Sequence, residues 1–553
     1  MNRRQFLRDS ALASASVALM GAVRFAAHAE SALTDSRIEV LLDEPLGTIS
    51  ANIYGHFAEN LSGVLYDGVW VGTGSKVPNV DGFRKDLIEQ MRKIKAPVVR
   101  YPGGCFADSY DWQDGIGPPD QRPRRTNFWA GETSAKSPTS HSYDPNQVGT
   151  NEFVHFCRLI GAEPYLAANV RSLPPEAFYR WVEYCNSPAH STTLADMRAK
   201  TGYAEPFHVR FWGVGNESWG CGGDFTPQEY AVEFRRYSSW LPSYGEHLSL
   251  VASGPADDDW NWTHDFFEEI VRKGAGQIER IYGLALHHYA WNLSRGRTQD
   301  WVAGKGDALQ FEAIDWYELL KQGDQMETLV NGHWQSMEEF DHDHHVKLVV
   351  DEWGPWYRPG SEATPSDLLE QTPTLRDAVF SAMTLDTFNR HPEKIAMANC
   401  AQLINCLNSL YLAHEDQFVV TPVGHVFGMY APHQGGQAVR TIFSSPSVHY
   451  DRDGKPASFW GLRGSASLRD KDLTLTAVNP HVSDARDTEI VVHGAAAKSG
   501  NITTLTHSDI HAHNTFQQRE VVVPQTKALA VNGKALVLRL PPASVTSIQI
   551  QLV

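Results

Sequence analysis

The stretch Phe211-Trp212-Gly213-Val214-Gly215-Asn216-Glu217-Ser218-Trp219 is a short, apolar, β-prone run that stops abruptly at an amide and a carboxylate. An uninterrupted apolar strand is what a parallel sheet covered on both faces requires. Polar groups just past its C-terminal end occupy the place where (β/α)8 barrels gather their functional side chains. Downstream, Val346-Lys347-Leu348-Val349-Val350-Asp351-Glu352-Trp353-Gly354 repeats the design, again ending in Glu beside Trp.

Working outward, eight such strands are readable: 51–57, 96–100, 163–170, 209–215, 248–254, 281–287, 346–350 and 394–403. Between them lie segments such as 83–95, 150–160, 227–240 and 265–273, where apolar residues recur at three- and four-residue spacing, as helices covering a sheet require. Eight alternations predict a closed α/β barrel of the TIM type, with Glu217 ending the fourth strand and Glu352 the seventh. Beyond about residue 430 the helical periodicity fades into short alternating runs, including 458–462, 473–478, 489–492, 535–540 and 545–552, punctuated by Gly, Asn, Asp and Pro. This is the pattern of a β-sandwich, and the early strand near 37–42 is expected to join it. The organisation expected is residues 30–47 as N-terminal strand, 48–430 as barrel and 431–553 as C-terminal β-sandwich.

The chain has 553 residues, 42% of them hydrophobic, with 16 Trp and a formal charge of −17. An acidic balance without a basic stripe argues against a nucleic-acid partner. Trp70, Trp112, Trp129, Trp219, Trp353 and Trp356 fall beside polar loop residues, where stacking platforms for a ligand would stand. Arg3-Arg4, a modest apolar stretch 11–23 and Ala27-His28-Ala29 resemble a twin-arginine export signal over residues 1–29. That reading predicts a bacterial periplasmic or secreted protein with no membrane association after signal removal. Six cysteines without CxxC spacing imply no zinc site; mostly free, buried thiols are expected.

Two carboxyls facing one pocket are the minimum for cleaving a glycosidic bond, provided their surroundings push their pKa values apart. Other strand ends are also rich in polar groups. The first ends Gly55-His56-Phe57-Ala58-Glu59-Asn60, the second Arg100-Tyr101-Pro102-Gly103-Gly104-Cys105-Phe106, the sixth Leu286-His287-His288-Tyr289, and the eighth carries Gln402. A structural ion pair between Glu59 and Arg100 is one reading of those two residues. Asp341-His342-Asp343-His344-His345 could ligate a metal, although residues entering a strand lie at the end of the barrel away from the active site.

Taken together and in order, G-H-F-A-E-N, R-Y-P-G-G-C-F, Y-D-W-x-D-G-I-G-P with R-P-R-R, G-x-G-N-E, L-H-H-Y and D-E-W-G resemble glycoside hydrolase family 51, chiefly α-L-arabinofuranosidases. The resemblance implies a (β/α)8 barrel with a sandwich, and a retaining enzyme that releases terminal non-reducing α-L-arabinofuranosyl residues from plant saccharides. It makes Glu217 the acid/base and Glu352 the nucleophile, with carboxyls about 5–5.5 Å apart. It places Glu59, Arg100, Cys105, Asn216, His287, Tyr289, Trp356 and Gln402 around the substrate. It implies no metal or organic cofactor, and a homo-oligomer, trimer or hexamer. The alternatives are an endo-β-1,4-glucanase or xylanase on the same barrel, or a carbohydrate-binding protein without catalysis.

Overall fold

The computed structural model describes residues 34–130, 142–364, 368–531 and 535–553, so the segment read as an export signal lies outside the described residues. The chain opens with strand β1 (Ser36–Thr48), then runs through β2 (Gly55–Phe57), β3 (Val98–Tyr101), β4 (Glu163–Ala168), β5 (Phe211–Val214), β6 (Ser249–Ala252), β7 (Gly283–Ala290), β8 (Lys347–Pro355) and β9 (Ile395–Cys400). Strands β2 to β9 pair in parallel, each with the next, and β9 returns to β2 through Asn399↔Gly55 and Cys400↔His56. All eight strands expected from the sequence are present. The first is shorter than expected, because Ala51–Tyr54 form a 3-10 turn capped by the Ser50 hydroxyl.

Local sequence explains the helices between them. The helix Pro227–Ser238 begins with a reciprocal cap in which Thr226 accepts from the Glu229 N–H and Glu229 accepts from the Thr226 N–H. The helix Thr150–Ile160 ends at Gly161, whose φ of +80° suits glycine. The apolar faces of these helices close over the barrel, where Trp212, Trp316 and Trp353 are fully buried. Each such side chain contributes roughly 1.5–3 kcal/mol of burial energy.

Inside the barrel, Val98, Tyr165, Phe211, Val251, Ala285, Val349 and Met397 form one packed cluster, one residue from each of seven strands. It plugs the barrel, so the ligand-accessible region is confined to the mouth above it.

The C-terminal strands are β10 (Gln437–Ser444), β11 (Arg463–Arg469), β12 (Asp472–Asn479), β13 (Arg486–His493), β14 (Ala497–Leu505), β15 (Gln525–Ala528), β16 (Ala535–Leu540) and β17 (Ser544–Leu552). With β1 they form a nine-stranded sheet in the order β15-β14-β17-β12-β11-β10-β1-β13-β16. β1 pairs antiparallel with β10 and parallel with β13. Ile38, Leu475, Ile490, Leu536 and Ile548 share one core, so strands distant in the sheet order pack face to face.

Candidate active site

The site is organised by an irregularity in β8. Alternation along a strand sends Val349 and Asp351 into the barrel. Asp351 accepts hydrogen bonds from Tyr165 Oη (2.8 Å) and Asn399 Nδ2 (2.7 Å). Strict alternation would then turn Glu352 outward. The pairing with β7 instead steps from Leu286↔Val350 to His287↔Glu352, leaving Asp351 as an extra residue. This bulge re-aims the next side chain, and Glu352 joins Asp351 on the inner side of the mouth.

Glu352 is buried and held at both oxygens. Arg100 Nη1 donates to Oε1 at 2.8 Å and Tyr289 Oη donates to Oε2 at 2.7 Å. Arg100, itself buried, also lies 3.3 Å from Asp351 and donates from Nη2 to Asn216 Oδ1. It therefore pairs with Asp351 and Glu352 and not, as the sequence also allowed, with Glu59. Burial opposes the charge on Glu352. The His287 and Arg100 charges and the hydrogen bonds from Tyr289 and Arg100 outweigh it, and its pKa lies below the ordinary carboxylate value.

Glu217 stands differently. Its φ is +35°, a conformation that L-residues rarely adopt and that concentrates at functional sites. Oε1 meets His287 Nδ1 at 2.9 Å, and the same nitrogen is 3.7 Å from Glu352 Oε2. Burial opposes the His287 charge, but Glu352 and Glu217 prevail and raise its pKa above the usual histidine value. One carboxyl oxygen of Glu217, one of Glu352 and a His287 nitrogen all lie within 4.8 Å of one another.

The other face of Glu217 touches sulfur. Cys105 and Cys221 are joined in a disulfide with Cα atoms 5.5 Å apart, and their sulfurs lie 3.8 and 3.5 Å from Glu217 Oε2. The expectation of free, buried thiols holds for Cys157, Cys185, Cys400 and Cys406 and fails for this pair. The reason is geometric: the loops after β3 and β5 are distant in sequence but adjacent in the barrel, and they meet within disulfide reach. The β5 loop passes so close to itself that a Cβ on Gly222 would lie 1.6 Å from the Asn216 carbonyl oxygen.

Glu59 completes the floor. It accepts from Phe106 N, Trp129 Nε1 and Gln402 Nε2 at 3.0, 3.2 and 3.2 Å, while Gln402 Oε1 accepts from Glu59 N. Burial, followed by the Glu352 charge, pushes the Glu59 carboxyl up to about 7. Gly104 needs to be glycine, since a Cβ there would lie 2.7 Å from Glu352 Oε1. Trp356 closes one side, its ring 5.0 Å from that of Tyr289. All ten residues singled out in the sequence thus lie in one contiguous cluster. Of the tryptophans read as platforms, Trp112 and Trp353 are core residues, 2% and 0% exposed.

Sequence reasoning missed three residues. Cys221 carried no motif. Asp351 was hidden beside the glutamate. Asp108 is fully buried and accepts from the backbone N–H groups of Val170, Arg171 and Asn216 at 2.7, 3.1 and 3.1 Å, tying the ends of β4 and β5 to the β3 loop. Only its position two residues beyond Cys105-Phe106 hinted at this. The Asp341–His345 run is used structurally: Asp341 accepts from the backbone N–H groups of His345 and Val346, and His344 stacks on Trp334. It is not among the side-chain groups whose ligand atoms converge in the described residues.

Known proteins carry the same architecture. Residues 90–300 match the α-L-arabinofuranosidase 1 domain and residues 351–544 the α-L-arabinofuranosidase C-terminal domain. The solved GH51 arabinofuranosidase from Xanthomonas axonopodis pv. citri superposes with a TM-score of 0.85 at 32% identity, covering 94% of this chain and 100% of that one. An intracellular exo-α-L-arabinofuranosidase of Bacteroides ovatus is 33% identical over 524 residues, 94% of this chain and 96% of the relative. This chain belongs to glycoside hydrolase family 51.

Membership makes it a glycoside hydrolase and removes the binding-protein alternative. A further relative, from Bacillus subtilis, is 26% identical over 92% of this chain and 97% of its own length, and is named an intracellular exo-α-(1→5)-L-arabinofuranosidase. The names of these relatives overturn the periplasmic or secreted localisation expected from Arg3-Arg4. A pair of arginines before a short apolar run is a pattern of low specificity.

Proposed function

We propose that this family 51 enzyme releases terminal α-L-arabinofuranosyl residues from the non-reducing ends of saccharides, with retention, by double displacement. Glu352 attacks the anomeric carbon as Glu217 protonates the departing glycosidic oxygen, and the C–O bond breaks. Water then attacks the glycosyl-enzyme, giving a proton to Glu217, and the ester bond to Glu352 breaks. Tyr289 and Arg100 keep Glu352 ionised and aimed. His287 Nδ1, 2.9 Å from Glu217 and 3.7 Å from Glu352, bridges the two carboxyls, and their charges favour its protonated form. Asn216, Glu59 and Gln402 present hydrogen-bonding groups to the furanose hydroxyls, with Trp356 as a wall.

The observation that carries this reading is the closeness of the two carboxyls: His287 Nδ1 lies 2.9 Å from a Glu217 oxygen and 3.7 Å from a Glu352 oxygen, so a single imidazole spans the gap between them. Retaining pairs stand about 5–5.5 Å apart, whereas inverting pairs need about 6.5–9.5 Å to admit a water. The names of the relatives support arabinofuranose and exo action.

The test is hydrolysis of 4-nitrophenyl α-L-arabinofuranoside by wild type, Glu217→Ala and Glu352→Ala, with and without azide. Both variants are expected to lose activity. Azide is expected to restore turnover to Glu217→Ala as the α-azide and to Glu352→Ala as the inverted β-azide. A folded wild type that leaves this substrate intact sinks the arabinofuranoside reading, and a β-azide from Glu217→Ala sinks the roles.

A further inference from the structure

The loop that follows β7 carries a cation that the catalytic mechanism does not use. Lys305 Nζ lies 4.0 Å from the ring centroid of Trp301 and 4.2 Å from that of Trp356. Trp291 adds a third ring, 4.8 Å from Trp301, and Trp301 is 4.8 Å from Trp356. Since Trp356 packs on Tyr289, and Tyr289 holds Glu352, this aromatic cluster is two ring contacts from the nucleophile.

The cluster is built into the loop and does not merely lie on it. Lys305 pairs with Asn292 across the loop, and a Cβ on Gly304 or on Gly306 would lie 2.5 Å from Trp291 or Leu293. Arg358 N donates to Gly306 O at 3.0 Å, fastening the loop to the segment that leaves β8. Among the described residues Lys305 Nζ has no carboxylate partner within 4.0 Å and donates no hydrogen bond, in a chain with a formal charge of −17. Trp301 keeps 40% of its surface exposed. Burial lowers the Lys305 pKa to about 8, which leaves it cationic at neutral pH.

We propose that Trp301 and Lys305 form a leaving-group subsite for acidic saccharides, with a sugar ring on the open surface of Trp301 and its carboxylate, that of a hexuronic acid unit, on Lys305. Two aromatic faces hold the ammonium by cation–π attraction and supply no competing anion. A carboxylate arriving there forms a charge-assisted hydrogen bond in a partly desolvated position, worth more than the same contact in water. A neutral saccharide gains the stacking alone.

This inference rests on the arabinofuranosidase reading, and the experiment separates the two. The kcat/KM is measured on a neutral arabinofuranosyl-substituted xylo-oligosaccharide and on the same oligosaccharide bearing a hexuronic acid beside the branch. Wild type is compared with Lys305→Gln and Lys305→Glu. Wild type is expected to favour the acidic substrate by about 10-fold or more. The preference is expected to disappear in Lys305→Gln, to reverse in Lys305→Glu and to shrink as salt rises. Equal wild-type rates on both substrates, or a preference that survives Lys305→Gln, overturn the subsite while leaving the arabinofuranosidase reading intact. Hydrolysis of neither substrate overturns that reading instead.

Discussion

The ends of β5 and β8 carry the same side chain in opposite circumstances. Glu352 is 8% exposed and clamped by Arg100 and Tyr289, each of its oxygens committed to a donor. Glu217 is 19% exposed, sits at a positive φ and has His287 on one oxygen and two disulfide sulfurs near the other. A nucleophile has to be ionised and fixed in aim. An acid/base has to exchange a proton with substrate and then with water, which calls for access and an oxygen without a fixed donor. Glycosidic cleavage needs two carboxyls that differ, and the neighbours of each supply the difference.

The sharpest way to break that comparison is to vary the leaving group. Glu352→Ala is expected to lose about 10⁴-fold in kcat/KM on any arabinofuranoside, because its bond to carbon is needed whatever departs. Glu217→Ala is expected to lose a similar factor on a sugar leaving group and far less on 4-nitrophenolate, which leaves without protonation. Equal losses by Glu217→Ala on both substrates would erase the distinction.

A smaller effect concerns the sulfur side of Glu217. The disulfide closes a separation of 116 residues, and removing it is expected to cost about 2–4 kcal/mol of stability, read as the shift in urea midpoint between wild type and Cys221→Ser. Because both sulfurs touch Glu217, kcat is expected to fall on slow-leaving sugars more than on 4-nitrophenolate. An unchanged ratio between those substrates would show that the disulfide staples loops without acting through Glu217.

The smallest effect is a pH dependence. Burial and the Glu352 charge raise the Glu59 pKa from 4.5 to about 7. A carboxyl raised on folding contributes stability that is fully present below about pH 4.5 and is lost as pH rises through about 7. Between pH 5 and 8 this loss is about 2 kcal/mol. Thermal melts of wild type are expected to show it. Glu59→Gln should flatten the slope, and Glu352→Gln should reduce it by removing the second cause. A slope indifferent to both substitutions would place the titration elsewhere.

Much of this is legible in the sequence. The eight barrel strands are apolar runs closed by polar residues, and burial on both faces dictates such a composition. That the early strand joins the C-terminal sheet was legible from its strand-like run outside the barrel, while its partners β10 and β13 were not. The ten residues that the structure gathers at the barrel mouth could be named because short local motifs carry them. Cys221, Asp108 and the Trp301–Lys305 contact were not legible, since each acquires its meaning from a partner on another loop. Trp112 and Trp353 misled because adjacency to polar residues in sequence says nothing about which way a ring points.

The sequence by itself determined which segments become strands, that eight of them alternate with helices, and that carboxyls arrive at the ends of β5 and β8. These follow from hydrophobic pattern and local propensity. Only the tertiary structure decided that Asp351 is an extra residue in β8, so that it and Glu352 both serve the barrel interior, and that two distant cysteines close over Glu217. A bulge is a property of the register between two strands and a disulfide of the distance between two loops. Neither is written in any one stretch of chain.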